Sequence, residues 1–495
     1  MDIKTTYRSS QYLFYTAMGI VVLVYLLFPG NNSFSEDSFA YANNVKYGED
    51  LFWPHHLLYS AFNYVLFTLF KQVLPGLDAY RFMQLLNGVF ALLSLLILHK
   101  TIRLQSGNAD QARVWTFFVA SCFGVIRFAV EVETYIIPVF FSLLSSFYYL
   151  RYLQTKKSGN VLLFSLFASV ACLFHQIHLF WGIGLFIGFL RTKEIKNILL
   201  YTLPTLGVLV VYSCVMVFYA GIDFSFQHLC AYLFDYYYSA DANIVIGASN
   251  FVLTPISFFR TFFQMHGIIV DILQLIPLFW AVIPVVILLL GMGVFRLKNL
   301  RFKRSGFRSA DFEYTHLIIF VLQFGFAFFS HGNAEFMVML PFLMPLFIPV
   351  LMTYNLRAVN YFSIAMLVWN GCFSVFPNHY LDYCNDERLI EIIKDNPDKA
   401  FILSQRNVIV EKYYYATGSY EDDRLIHEYR TEDILRLQQE DKVFYTDILT
   451  KKMPFSRASI TNHSEADKLL FIQHVVRIDS NLGGFYVDEV GIRRD

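Results

Sequence analysis

The stretch Pro29–Phe70, PGNNSFSEDSFAYANNVKYGEDLFWPHHLLYSAFNYVLFTLF, decides how the chain is read. It follows an apolar run at 11–29 and is acidic at its start, yet it never becomes a plain polar loop. If Ser35 caps a helix, Asp37 and Tyr41 share a face at i and i+4. A second amphipathic helix from Pro54 stacks His55 under Tyr59 in the same way. Both helices are expected to lie along a membrane surface, within a first outer loop spanning 30–80.

Composition agrees with a membrane setting. The chain has 495 residues, of which 56% are hydrophobic, 18% aromatic and 16% charged, values foreign to soluble domains. Thirty-nine basic residues balance thirty-nine acidic ones, so bulk charge gives no reason to expect a nucleic-acid partner. Fifty-three Phe and thirty-two Tyr exclude a disordered chain. The six Cys form no CxxC pair and leave the redox compartment open.

Charge locates a boundary near residues 376 and 377, because residues 377–495 hold 22 of the acids and 16 of the bases. Upstream, apolar runs of about 20 residues or a little fewer recur. They fall at 11–29, 79–99, 111–127, 135–153, 160–175, 178–190, 197–219, 268–295, 312–330, 336–356 and 358–376. The expected architecture is an all-α polytopic membrane domain over 1–376 with about eleven transmembrane helices. Lys and Arg concentrate on one side of this arrangement: 18 of the 23 in the membrane domain fall on the side of the N-terminus, which the positive-inside rule makes cytoplasmic. An odd number of spans places 377–495 outside. Its alternation of short apolar runs with polar, helix-like stretches reads as a small α/β extracytoplasmic domain.

The acids of the membrane domain gather on the outer side, where a buried carboxylate costs at least about 2.5 kcal/mol and is retained for a purpose. Glu36 and Asp37 lie in the first outer loop, Glu131 and Glu133 at the next outer turn, and Glu335 after the ninth run. His55, His56, His175, His178 and His331 keep the same company. The His175–His178 turn is read as structural, its polar groups satisfying freed backbone. HGNAEF, His331 to Phe336, is by default a Gly-containing turn and by hypothesis a contact for a lipid phosphate or a sugar. The aromatic stretch Tyr232–Tyr238 is read as an interfacial belt.

The pattern Asp37, Ser38, Phe39, Ala40, Tyr41, Ala42, followed by Gly48 and a second surface helix, resembles the first outer loop of GT-C glycosyltransferases. Within that fold it is most like the protein O-mannosyltransferases and the lipid A aminoarabinose transferases. The resemblance implies that the acid four residues before the Tyr, Asp37, is the catalytic one. It implies a polyprenyl-phosphate-linked sugar as donor, whose anomeric carbon sits at the membrane surface. That chemistry asks for a base, for which Glu36 and Asp37 are candidates, and for groups that meet the departing phosphate. Arg127 and Arg260 suit the phosphate by their forked donors. His55 and His56 can donate to the same group or, with carboxylates, ligate a divalent ion, the candidate cofactor. Tyr59, Glu131, Glu133, His331 and Glu335 complete the expected substrate-binding set, with no metal ligand assigned. One direct displacement inverts the anomeric carbon and needs one base.

The expected function is therefore transfer of a monosaccharide from a polyprenyl-phosphate donor to an extracytoplasmic acceptor, whether protein, lipid or glycan. The expected location is a bacterial inner membrane with the site facing the periplasm. A transporter or flippase of lipid-linked sugars is the alternative from another class. A non-catalytic scaffold presenting the C-terminal residues is a third.

Overall fold

In the computed structural model, residues 3–31, 37–193, 197–235, 246–265, 267–302, 311–420, 424–426, 444–450 and 470–492 are described. The helices in chain order are α1 (Ile3–Leu27), α2 (Asp37–Tyr47), α3 (Tyr59–Val73), α4 (Ala79–Ser106), α5 (Ala109–Ser121), α6 (Phe123–Val130) and α7 (Ile136–Thr155). Then come α8 (Ser158–Phe174), α9 (Leu179–Arg191), α10 (Ile198–Phe218), α11 (Phe226–Leu233), α12 (Ala248–Phe262), α13 (Ile268–Leu275) and α14 (Val282–Arg296). The last are α15 (Asp311–Phe329), α16 (Leu340–Leu351), α17 (Leu356–Asn370), α18 (Phe376–Tyr380), α19 (Asp386–Asp395) and α20 (Arg406–Thr417). Two compact units emerge, one built from 1–29, 48–265 and 278–375, the other from 30–47, 266–277 and 376–495.

Six helices among the described residues are long and apolar enough to cross a membrane: Ala79–Ser106, Ile136–Thr155, Ile198–Phe218, Pro277–Arg296, Asp311–Phe329 and Leu356–Tyr380. They make the chain an integral membrane protein. A seventh crossing is formed if α5 and α6, which meet at 65° across Cys122, count as one broken span. The other expected runs fall on shorter apolar helices, at Phe14–Leu27, Ser158–Phe174, Gln176–Arg191 and Glu335–Leu351. Local chemistry sets many of these ends. Asp78 accepts from the Arg81 N–H at 2.9 Å to start α4, and Gly107 ends it in the left-handed region at φ 65°. Asn108 caps α5 through the N–H groups of Asp110 and Gln111.

The expected second surface helix departs from the sequence reading. Pro54–His56 forms a single 3₁₀ turn, and α3 begins only at Tyr59, so His55 and Tyr59 do not lie on one continuous helix. Pro54 fixes its own φ and lacks an N–H, which suits the first position of a short turn.

Among the described residues the second unit carries strands β1 (Ala400–Ile402), β2 (Leu425–Ile426), β3 (Phe444–Thr446), β4 (Leu470–Ile478) and β5 (Phe485–Ile492), which form one sheet in the order β2-β1-β3-β5-β4. β1 runs parallel to both β2 and β3, whereas β5 is antiparallel to β3 and β4. One face buries Phe401, Leu403, Tyr445 and Val487 against Leu389 and Ile393 of α19 and Ile409 and Tyr413 of α20. Period-two alternation along the strands makes this possible, since Phe401 and Tyr445 face one side while Ile402 and Phe444 face the other.

Close packing of α1 on α4 in the first unit depends on Gly88. A Cβ there would stand 2.5 Å from the Tyr25 carbonyl oxygen and 3.4 Å from that of Ala129. Gly88→Ala must push backbone aside, a class of overpacking that costs about 1–3 kcal/mol. We expect a lower thermal midpoint for the detergent-solubilised variant; an unchanged midpoint would show that α1 moves freely.

Candidate active site

Arg127 lies in the last turn of α6, one helical turn before Glu131, and this spacing alone brings their side chains together. Arg127 Nε donates to Glu131 Oε2 at 2.9 Å, and its Nη2 stands 3.6 Å from Glu335 Oε1. The guanidinium also lies 4.9 Å from the centroid of the Phe128 ring. Tyr135 donates to the other Glu335 oxygen at 3.2 Å. Glu131 and Glu133 are each only 3% exposed. Burial raises the Glu131 carboxyl above its usual range, with Arg127 pulling the other way.

A turn bearing two buried carboxylates needs its backbone satisfied, and α4 does this. Gln84 Nε2 donates to the Val130 carbonyl at 3.0 Å, and Asn87 Nδ2 donates to the carbonyls of Glu131 and Glu133 at 2.8 and 2.9 Å. Tyr59 Oη lies 3.5 Å from the same Asn87 nitrogen. Glu335 is placed by a different device. His331 and Gly332 both have positive φ, 54° and 66°, and a Cβ on Gly332 would come within 2.6 Å of the Thr254 nitrogen. Asn333 then accepts from the Glu335 N–H at 3.0 Å, starting the short 3₁₀ turn Glu335–Met337.

Beside this ionic group stands a set of imidazoles. Successive ring centroids lie 5.7 Å apart for His55 and His56, 4.5 Å for His56 and His175, and 6.5 Å for His175 and His178. The Tyr135 ring lies 4.9 Å from that of His175, tilted by 37°, so one phenol joins the imidazoles to Glu335. Gln176 holds the two His-bearing turns together by donating to the Pro54 carbonyl at 3.0 Å and to that of Leu233 at 2.9 Å. His178 Nδ1 and Ser142 Oγ are 2.7 Å apart. Burial, reinforced by His55, lowers His56 to about 3, so its ring is neutral at physiological pH.

Of the residues expected from sequence, His55, His56, Tyr59, Arg127, Glu131, Glu133 and Glu335 are thus gathered around one set of turns. His331 is exposed in its left-handed turn and, among the described residues, is bonded to none of them. Arg260 is half-buried in the last turn of α12, next to Thr261, whose methyl lies 3.4 Å from where a Gly124 Cβ would be. Asp37 belongs to the second unit, where it opens α2 and is exposed, while Ser38, Tyr41 and Asn43 behind it are buried. Glu36 and Ser35 lie outside the described residues. Tyr135 and Asn87 were missed by sequence reading. Gln176 lies in the turn read as structural, and it bonds backbone carbonyls there. Among the described residues no group of three or more His, Cys, Asp or Glu could hold a metal ion.

No protein-family model and no curated protein sequence matches the chain. Solved structures do. An oligosaccharyltransferase from Archaeoglobus fulgidus, in complex with Zn and sulfate, superposes with a TM-score of 0.51 at 11% identity, covering 96% of this chain and 72% of that one. The fold is that of the GT-C glycosyltransferases. The apo form of the same oligosaccharyltransferase gives a TM-score of 0.50 at 10% identity, over 88% of this chain and 70% of that one. ArnT from Cupriavidus metallidurans in its apo state aligns over 98% of both chains at 12% identity with a TM-score of 0.45. The GT-C resemblance read from the first loop therefore holds at the level of the fold.

Two outcomes test the site's physics. Asn87→Leu strands two buried carbonyls, each worth about 1–3 kcal/mol when left unpaired; the thermal midpoint should fall by several degrees, and an unchanged midpoint would refute the clamp. For His56, the folded ring sits below its unfolded value of 6.5, so its contribution is fully present above pH 6.5 and is lost as pH falls toward about 3. Glu131, shifted upward, works in the opposite direction on acidification. Between pH 7.5 and 5 the His56 share amounts to about 2 kcal/mol at most. His56→Gln should make the midpoint less sensitive to pH over that interval, and parallel curves for the two proteins would remove His56 from the balance.

Proposed function

We propose that the chain is a membrane glycosyltransferase that moves a monosaccharide from a polyprenyl-phosphate donor to an extracytoplasmic acceptor. The observation that carries this reading is the GT-C fold extending over 96% of the chain. It is joined by a carboxylate, Asp37, in the first turn of the helix that follows the first apolar helix. Under the same reading the chain crosses the membrane eleven times from a cytoplasmic N-terminus. Residues 377–495 form an α/β domain outside, and the membrane is a bacterial inner membrane with the reaction on its periplasmic face.

In the proposed reaction an acceptor hydroxyl gives its proton to the Asp37 carboxylate as the hydroxyl oxygen attacks the anomeric carbon. The bond from that carbon to the phosphate oxygen breaks, and polyprenyl phosphate leaves with the electron pair. One displacement gives inversion. Glu36, next in the chain, is the second candidate for the proton.

Arg127 is held by Glu131 and Glu335, and Arg260, His55, His56 and Tyr59 are the further proposed donors to the phosphate. Glu131, Glu133 and Glu335 are acceptors suited to sugar hydroxyls, and His331 remains a peripheral contact. The Archaeoglobus oligosaccharyltransferase structure holds Zn and sulfate, which keeps a divalent ion as a candidate cofactor. The described residues of this chain do not bring three such ligands together, and no step is assigned to a metal.

Purified protein in nanodiscs, given a radiolabelled polyprenyl-phosphate sugar and a mixture of acceptors, tests the reading. Asp37→Asn should lower transfer about 10²- to 10⁴-fold while donor binding persists. Full transfer by both Asp37→Asn and Glu36→Gln would dismiss the assigned base. Movement of labelled lipid between leaflets without a new glycosidic bond would identify a transporter instead.

A further inference from the structure

We infer that the C-terminal residues hold the base in place: α20 is the seat of α2, and Asn43, Tyr47 and Glu411 are positioning residues for Asp37. This rests on the proposed role of Asp37 and gives the C-terminal residues a part in the reaction.

α2 cannot hold its own shape. It has eleven residues, fewer than the 12 to 15 or so that an isolated helix needs in water, and a polar sequence, DSFAYANNVKY. Yet Tyr41, Ala42, Asn43, Asn44 and Val45 are all buried. The contacts that compensate come from α20. Asn43 Nδ2 donates to Glu411 twice, to its backbone carbonyl at 2.9 Å and to its carboxylate at 2.7 Å. Tyr47 Oη donates to the carbonyls of Tyr414 and Tyr415 at 3.1 and 3.2 Å, and its ring lies 4.8 Å from that of Tyr414. Lys46 donates to the Tyr415 carbonyl and sits 4.2 Å from the centroid of the Tyr415 ring.

These bonds answer a need of α20 as well. The Gly418 N–H already donates to the Tyr414 carbonyl at 2.7 Å, and the dipole leaves this helix end negative, so the hydroxyl of Tyr47 and the ammonium of Lys46 add to the cap from elsewhere in the chain. Nearer to Asp37, Phe39 meets the Tyr415 ring edge-on at 5.5 Å, with Lys412 Nζ 5.3 Å from its own centroid. Lys412 is fixed in turn by Asp386 at 2.6 Å.

The approach to α2 is tied to the same part of the chain. The Asn31 N–H donates to the Asn378 carbonyl at 2.9 Å, and the Asn31 side chain donates to the His379 carbonyl. A Cβ on Gly30 would stand 2.6 Å from Asn378 Nδ2, so this contact also needs the glycine. Asp37 therefore lies between two attachments, both to residues that follow 375 in sequence. A base displaced by about 1 Å loses up to roughly 10²-fold in rate even when the substrate still binds.

The test uses the full chain in nanodiscs with a polyprenyl-phosphate sugar, and measures kcat, donor KM and thermal midpoint. Asn43→Leu/Tyr47→Phe and, separately, Glu411→Ala should each lower kcat about tenfold or more with donor KM unchanged within about twofold. Glu411→Gln keeps an oxygen for Asn43 and should restore most of the lost kcat, a rescue that general loosening of the fold would not give. If the double variant does not yield monodisperse protein, the Glu411→Ala and Glu411→Gln pair decides alone. Loss of activity in Asp37→Asn with full kcat in the Asn43, Tyr47 and Glu411 variants overturns the positioning role only. Full activity in Asp37→Asn overturns that role and the base assignment together.

Discussion

An apolar helical body can bury a turn with two carboxylates only if the backbone of that turn is satisfied, and here one amide does most of this. Asn87 sends both of its relevant bonds to the carbonyls of Glu131 and Glu133, while Gln84, one turn earlier on α4, takes that of Val130. With the turn pinned, Glu131 comes within reach of Arg127, and Tyr135 is presented to Glu335 and His175. Without it, the cost of desolvating each free carbonyl would favour opening the turn to solvent, and the ionic group would scatter.

Electrostatically, the two halves of this centre are of opposite kinds. The Arg127 side is charged and internally matched, so its ions orient one another more than they attract a further anion. On the imidazole side the His56 ring is neutral at physiological pH and carries no fixed charge. Tyr135 belongs to both. A substrate that is part phosphate and part polyol needs both kinds of surface, and the two are held at fixed separation by 3₁₀ turns that Gln176 and Asn333 secure.

Much of the membrane body was legible from hydropathy, since a long apolar run such as 79–99 and the helix Ala79–Ser106 are the same physical fact. The pairing of Arg127 with Glu131 spans only four positions, yet the sequence reading put both residues in the substrate-binding set without pairing them. The rest depended on distance in space that one-dimensional patterns do not carry. Gln176 reaches Pro54 across 122 positions, and Tyr135 meets Glu335 across 200. The second surface helix was misread because periodicity continued through Pro54 while the backbone did not: a 3₁₀ turn ends at His56 and α3 starts afresh at Tyr59. Hydropathy likewise fused the 111–127 run into one span, although the backbone turns by 65° at Cys122. The segment around Asp37 was found by its resemblance to a family motif, and nothing in its own residues indicated that α20 would support it.

Two of the membrane helices, Ile198–Phe218 and Pro277–Arg296, are only 17% and 11% covered by protein. Their outward rows of Leu, Val and Ile have acyl chains as their natural neighbours, while their tilt is set by the helices they pack against, as where Gly293 meets the Phe362 ring. The choice of solubilising amphiphile thus becomes a structural variable: a micelle thinner than the native hydrocarbon layer leaves part of these outward rows unmatched.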